Sequence, residues 1–280
     1  MKNYSCIFTG GSSRGLCYIG VLKALEEKNI KIKHYIGSSI GALFITFYAL
    51  GYSVSELEKE TDNLDLSSLF VDFNFNIFSD FAFSKGNIYL KWLREKIERK
   101  FYSDSYKKGK MPPVKFKDID KNLYIIATDF ENSEPFVFSK ETTPYVEIAL
   151  ALRASSSMPA LLPAFKLGDK KLIDGDILRG YPITRSLSFL EIKKEELLEF
   201  RITGGNKNKF SKNPIKLVNS IVNTAAFAID NWAYESYRND YSIIRIDVED
   251  VQFTDFKLSQ IKKKQIYDIG YKTTIDKINP

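Results

Sequence analysis

Residues 32–51 read Ile-Lys-His-Tyr-Ile-Gly-Ser-Ser-Ile-Gly-Ala-Leu-Phe-Ile-Thr-Phe-Tyr-Ala-Leu-Gly, centred on the pentapeptide Gly37-Ser38-Ser39-Ile40-Gly41. A short apolar strand (Ile32 to Ile36) leads into it, and a helix-like run (Ala42 to Leu50) leaves it and stops near Gly51. Gly-x-Ser-x-Gly in that setting is a nucleophile elbow: the glycines Gly37 and Gly41 let a strand turn sharply into a helix, exposing the hydroxyl of Ser39. The chain has 1 histidine, His34, on the same expected strand. At ~3.3 Å per residue, His34 would lie roughly 16 Å from Ser39. A Ser-His-Asp triad needs the imidazole within hydrogen-bond reach, so counting excludes it. His34 reads as structural, and a catalytic Ser39 needs another base.

Working outward, Tyr4 to Thr9 reads as a strand, Gly10 to Gly15 as a glycine loop and Leu16 to Lys28 as a helix. The strand-helix-strand-helix order implies a parallel sheet with helices packed on it. Downstream, Asn87 is placed to cap a helix whose Leu90, Leu93, Ile97 and Phe101 share one face, with Glu95 and Arg99 paired at i,i+4. Leu123 to Ala127 and Phe136 to Phe138 read as strands, and Thr143-Pro144 as the start of a helix through Leu152. Asn213-Pro214 opens a longer helix, in which Ile215, Val218, Val222, Ala225, Ile229 and Trp232 keep 3/4 spacing. Tyr241 to Val248 is a late strand, and Ser259 to Ile269 a final helix stopped by Gly270.

With 280 residues, 44% of them hydrophobic, the chain has the material for a large core. It contains no linker-like tract and no internal repeat, so one domain is expected over 1–280. The formal charge of +6 is spread along the chain, with short clusters at Lys107-Lys108, Lys207 to Lys212 and Lys262 to Lys264. Such runs are mostly solvated faces; attraction to an anionic membrane surface is their functional reading. No basic helix or binding motif accompanies them, so a nucleic-acid partner is not expected. Cys6 and Cys17, without a secretory signal, read as reduced buried thiols of a cytoplasmic protein. The longest apolar run, Ile40 to Tyr52, is shorter than the ~20 residues a membrane span needs. A phenylalanine-rich stretch (Phe70, Phe73, Phe75, Phe78, Phe81, Phe83) reads as core beneath a cap or as a wall for an acyl chain.

Two further constellations carry chemistry. The loop Gly10-Gly11-Ser12-Ser13-Arg14-Gly15 follows a strand, but it lacks both the dinucleotide fingerprint and the Lys-Ser/Thr of a Walker loop. It offers backbone N–H groups at a helix N-terminus, which suit a developing negative charge. The segment Lys171-Leu172-Ile173-Asp174-Gly175-Asp176 is an apolar strand end followed by Asp-Gly. It reads as an ordinary turn or as a carboxylate base for Ser39, and a base there must be desolvated to raise its pKa. Asp129, ending the Leu123 strand, is the competing acid.

These motifs together resemble those of patatin-like phospholipases, a family of lipid acyl hydrolases. The Gly-Gly-x-x-Arg-Gly loop at Gly10 to Gly15 is followed by the serine elbow at Gly37 to Gly41. Next come Arg-Ala-Ser-x-x-x-Pro at Arg153 to Pro159 and Asp-Gly at Asp174-Gly175, with Pro182 after it. Ala127-Thr128-Asp129 also matches the family's central strand. The motif core runs over about residues 7–183, and residues 184–280 would supply the remaining helices and last strand. The resemblance implies a Ser-Asp dyad with Ser39 as nucleophile and Asp174 as base. It places an oxyanion hole on the N–H groups of Gly10, Gly11 and Ser12, with Arg14 supporting the loop and Gly15 closing it. Gly175 belongs to the proton-acceptor motif, Asp129 becomes structural, and no metal or cofactor is required.

Three residues depart from the family pattern. Ser12 replaces a glycine, Asp176 a small residue, and Gly180 a frequent asparagine before Tyr181-Pro182. Like-charge repulsion from Asp176 is expected to raise the pKa of Asp174. Arg153 is expected to make a helix-end ion pair rather than a substrate contact, and Ser155, Ser156 and Ser157 a tight bend without a catalytic role.

The expected fold is a three-layer α/β/α sandwich on a mixed, largely parallel sheet. The expected activity is lipid carboxylic-ester hydrolysis through an acyl-enzyme, on a phospholipid or lysophospholipid, in the cytoplasm or peripherally at a membrane. The competing readings are a thioesterase or acyltransferase on the same dyad, and a non-catalytic membrane-associated module with a vestigial site.

Overall fold

The computed structural model describes residues 2–62, 64–73, 82–178, 190, 192–204, 214–251 and 255–278. Phe75, Phe78, Phe81, Gly180, Tyr181, Pro182 and the Lys207 to Lys212 cluster lie outside the described residues.

Strand β1 (Asn3–Phe8) passes through a 3-10 turn (Ser12–Leu16) into α1 (Cys17–Glu27), and β2 (Lys31–Ser38) leads directly into α2 (Ser39–Ala49). Helices α3 (Val54–Asp62) and α4 (Asn87–Tyr102) precede β3 (Asn122–Asp129), β4 (Glu134–Phe138) and α5 (Ile148–Ser155). Then come β5 (Phe165–Leu167), β6 (Lys170–Asp174), β7 (Leu197–Thr203), α6 (Pro214–Tyr237), β8 (Ser242–Asp247) and α7 (Gln260–Lys277). The eight-stranded sheet has the order β5-β6-β3-β2-β1-β7-β8, with β4 also on β3. Strands β3, β2, β1, β7 and β8 are mutually parallel, while β4 and β6 run antiparallel to β3. The sheet is mixed, largely parallel and flanked by helices, as the strand-helix alternation predicts.

Alternation along the strands sends side chains to two faces. Cys6, Phe8, Tyr35, Ile125 and Phe200 join the large core beneath α1, α2, α4 and α5. Ile7, Ile36, Tyr124 and Ile126 join a smaller one with Tyr237 and Tyr241. Glu199 and Arg201 alternate with the large-core residues Leu198, Phe200 and Ile202 of β7. They form a buried network in which Arg201 bonds Glu199 (2.6 Å) and Asp230 of α6 (3.0 Å), and Tyr241 donates to Glu199 (2.6 Å). These two charges break the apolar run, so sequence reading passes over β7.

Other elements differ from expectation for identifiable reasons. Asn87 is the first residue of α4, not its cap. The carboxylate of Asp72 does the capping, accepting from the N–H groups of Asn87 (2.6 Å) and Ile88 (3.3 Å). Phe101 is exposed, whereas the Glu95–Arg99 pair forms at 2.8 Å. The helix expected from Pro144 begins at Ile148, because Glu147 is held extended by a bridge to Lys115 and bonded to Arg94 (2.6 and 2.8 Å). On α6, Ile229 and Trp232 of the expected core stripe are 41% and 62% exposed. Asp230 and Ala233 are buried instead, since pairing a buried Arg201 outranks covering apolar surface.

The final helix runs through Gly270 to Lys277. It packs against α1 so closely that a Cβ at Gly270 would sit 2.0 Å from the Cys17 carbonyl, and one at Gly20 2.1 Å from that of Tyr267. Gly270 is a crossing point, not a stop. Cys6 and Cys17 are buried free thiols, and burial pushes both pKa values far up. No helix among the described residues is long and apolar enough to cross a membrane.

Candidate active site

The last residue of β2 is Ser38 and the first of α2 is Ser39, so the strand-to-helix turn falls at the elbow serine. Ser39 takes φ +51, a left-handed conformation that costs a non-glycine residue about 1–2 kcal/mol. The surroundings hold it there. Ser39 N–H donates to Ser155 Oγ at 2.8 Å, and the Ser155 hydroxyl donates to the Ile126 carbonyl at 2.6 Å. Gly41 lies against the end of β1, where a Cβ would meet the Phe8 carbonyl oxygen at 2.2 Å. Gly37 packs against the backbone of Ala42, closing the turn.

Sheet register brings the acid to the serine. Ser38 lies opposite Ile126 of β3, and Asp174 lies opposite the next residue, Ala127. Since β4 already pairs with β3 over residues 125–129, β6 takes the edge that β2 has just vacated. Gly175 then fits where a Cβ would be 2.0 Å from the Ile126 carbonyl oxygen and 3.2 Å from Ser38 Cβ. Ser39 Oγ donates to Asp174 Oδ2 at 2.7 Å. Ser39 is 8% exposed and Asp174 1%. Asp174 N–H donates to the Ser157 carbonyl and Thr128 Oγ1 to the Asp174 carbonyl, both at 3.0 Å. Asp176 N–H donates to Asp174 Oδ1 at 2.8 Å, so each carboxylate oxygen accepts a bond.

The glycine loop lies beside this pair. Gly10 N–H donates to Asp176 Oδ1 at 2.7 Å. The N–H groups of Gly11 and Ser12 have no acceptor among the described residues and precede or open the helical turn, where donors are unpaired by geometry. Ser12, at φ +56, stands in the left-handed region natural to glycine. Arg14 Nε donates to the Gly11 carbonyl at 3.1 Å and Arg14 Nη1 to that of Gly204. Gly15 packs on Ile40 at the elbow. The hydroxyls of Ser12 and Ser13 are buried without a partner among the described residues.

Ser12, Ser39 and Asp174 line one cavity, whose remaining wall is mostly apolar and includes Ile40, Leu43, Leu69 and Phe70. An adjoining cavity shares Ile40, Leu43 and Phe256 and reaches Phe47 and Trp92. Of the phenylalanine stretch, Phe70 lines the first cavity and packs on Tyr89 and Phe256, with ring centroids 5.4 and 5.6 Å apart. Phe73 and Phe83 pack edge-to-face on each other and are partly exposed. Tyr89 lies within hydrogen-bond distance of Ser156 (3.2 Å), and burial pushes its pKa up to about 12.

Other candidate residues lie elsewhere or act differently. Asp129 accepts from Lys170 at 2.5 Å and Asn132 at 3.0 Å, and the Lys170 bond leads in holding its carboxyl below the usual range. His34 Nδ1 is 2.8 Å from Ser5 Oγ, on β1. Arg153 makes no ion pair among the described residues, contrary to expectation. Its buried guanidinium donates to Ser157 Oγ (2.6 Å) and to the carbonyls of Lys85 (3.3 Å) and Pro163 (3.4 Å), and desolvation pushes its pKa down to about 10. Sequence reading missed Ser155, whose hydroxyl holds the Ser39 amide. Its only sequence signal was its place in the Arg-Ala-Ser segment.

Comparison with known proteins agrees with the fold. Residues 7–186 match the family model described as patatin-like phospholipase. A protein of Bacillus subtilis, the uncharacterized YqhO, is 26% identical over 96% of this chain and 95% of its own length. The probable lipid hydrolase 463L of invertebrate iridescent virus 6 is 27% identical over 68% of this chain and 65% of its own. Among solved structures, VipD of Legionella pneumophila superposes with TM-score 0.64 at 17% identity, covering 98% of this chain and 66% of that one. The type III effector protein ExoU gives TM-score 0.55 at 15% identity, covering 99% of this chain and 52% of that one. This chain thus spans about two thirds of the first and half of the second.

Proposed function

The chain belongs to the patatin-like phospholipase family, and from that premise we propose that it is a serine hydrolase of lipid carboxylic esters working through Ser39 and Asp174. The observation that carries this reading is the 2.7 Å hydrogen bond from Ser39 Oγ to Asp174 Oδ2. Asp174 takes the hydroxyl proton as Ser39 Oγ attacks the ester carbonyl carbon. The oxygen of the tetrahedral intermediate gains negative charge, and the amides of Gly11 and Ser12 are the donors that receive it. Collapse breaks the bond to the alcohol oxygen, which leaves with the proton from Asp174. Asp174 then takes a proton from water as its oxygen attacks the acyl carbon, and collapse breaks the bond to Ser39 Oγ, which regains that proton from Asp174 as the fatty acid leaves. Residues 184–280 act as part of this one domain.

The substrate reading rests on the apolar wall. An acyl chain entering beside Ile40 and Leu43 meets mostly hydrocarbon and aromatic side chains toward Phe47 and Trp92, in a cavity whose charged and polar lining residues include Glu60, Thr61 and Lys263. A thioester substrate or an alcohol acceptor would use the same serine, so the reaction is assigned by assay. Purified protein is expected to hydrolyse lysophospholipid or diacyl phospholipid and to label at Ser39 with a fluorophosphonate. Ser39→Ala and Asp174→Asn are each expected to lose at least about 10³-fold in kcat while keeping the wild-type melting curve. Near wild-type turnover in either folded variant would sink the dyad.

A further inference from the structure

Asp176 carries a charge where the resemblance leads one to expect a small side chain, and its bonds join all three motifs of the site. Its Oδ1 accepts from Gly10 N–H at 2.7 Å and from Ser38 Oγ at 3.2 Å. Its own N–H donates to Asp174 Oδ1 at 2.8 Å. One residue therefore ties the glycine loop to the elbow and braces the carboxylate that accepts from Ser39. The fit is tight, since a Cβ at Gly10 would lie within 2.9 Å of three Asp176 side-chain atoms.

We propose that Asp176 is a positioning residue that sets the glycine loop against the elbow. By engaging Gly10 N–H, it leaves Gly11 and Ser12 as the oxyanion donors. This rests on the dyad reading above. A glycine or alanine at 176 would still offer its N–H to Asp174 but would release Gly10 and Ser38, letting the loop move relative to the serine. The carboxylate also carries a cost, because its negative charge lies near the place where the oxyanion forms. An asparagine retains an oxygen acceptor for Gly10 N–H without that charge. The acceptor and the charge therefore push the rate in opposite directions, and substitution separates them.

The experiment compares wild type, Asp176→Asn and Asp176→Ala in ester hydrolysis, thermal melting and ¹H–¹⁵N spectra. Asp176→Ala is expected to lower kcat about tenfold to a hundredfold, as misplacement of a reacting group does, with KM and melting temperature near wild type. Asp176→Asn, which keeps the acceptor and removes the charge, is expected to restore kcat to the wild-type value or above it. The Gly10 amide proton is expected far downfield in wild type and in Asp176→Asn, and upfield with faster exchange in Asp176→Ala. Equal kcat in wild type and Asp176→Ala, an Asn variant as impaired as the Ala variant, or an unmoved Gly10 resonance would each overturn the proposal. A wild type that neither hydrolyses esters nor labels at Ser39 refutes the dyad reading instead, and the Gly10 resonance still decides the tie.

Discussion

Single side chains at this site are held by partners far away in sequence. Ser39 is strained at φ +51, and the strain persists because its amide is bonded to Ser155, 116 residues away. The elbow and the Asp-Gly turn were legible because each is a local pattern with a local geometric reason. Ser155 was not, since a serine in a serine-rich bend looks the same whether it binds an amide or water. His34 shows the opposite case, where elimination by distance left a structural residue with a measurable signature. Burial first, then the neighbouring Lys33, lowers its pKa, while Glu141 and Glu196 oppose them. The unfolded chain thus binds the proton more tightly, so His34 contributes stability that is full above about pH 6.5 and lost as pH falls toward the lower folded value. Denaturant midpoints are expected to decline across that window in wild type and to decline less in His34→Asn. Identical slopes would remove His34 as the cause.

Elements were read well where hydrophobic period and burial coincide, as in β1, β2, α2 and β3. They depart from the sequence pattern where a tertiary contact overrides a local signal. Gly270 looks like a helix stop because glycine is frequent there, yet α7 continues for two turns beyond it. The reason is close approach to α1 at Cys17, a contact that no window of local sequence contains. Gly270→Ala is expected to destabilise the fold by about 1–3 kcal/mol, the usual cost of overpacking, although alanine is the better helix former. A variant at least as stable as wild type, measured by urea unfolding, would place the helices further apart than described. The same logic sets the rotation of α6, whose stripe of Ile229 and Trp232 faces outward because Asp230 must face Arg201. Lys263 of α7 donates to the carbonyls of Asp62 and Leu64 (both 2.9 Å), tying that helix to the segment roofing the apolar cavity.

Across the whole molecule the sheet has two unlike faces, one sealed by a large apolar core and the other carrying the Glu199–Arg201–Asp230–Tyr241 network. Removing one member of a buried charge network leaves the others unpaired, at a cost of about 3–5 kcal/mol. Arg201→Met is expected to show that loss in urea unfolding, and a change under about 1 kcal/mol would mean that water reaches the network. The sequence by itself determined the family, the strand-helix alternation and the motifs bearing Ser39 and Asp174, because glycine turns and apolar periods are properties of short segments. Only the tertiary structure decided that Ser38 and Asp174 face consecutive residues of β3, and that Asp176 occupies the Gly10 amide. Register across a sheet and the partner of a buried donor depend on segments far apart in the sequence, and packing alone fixes which of them meet.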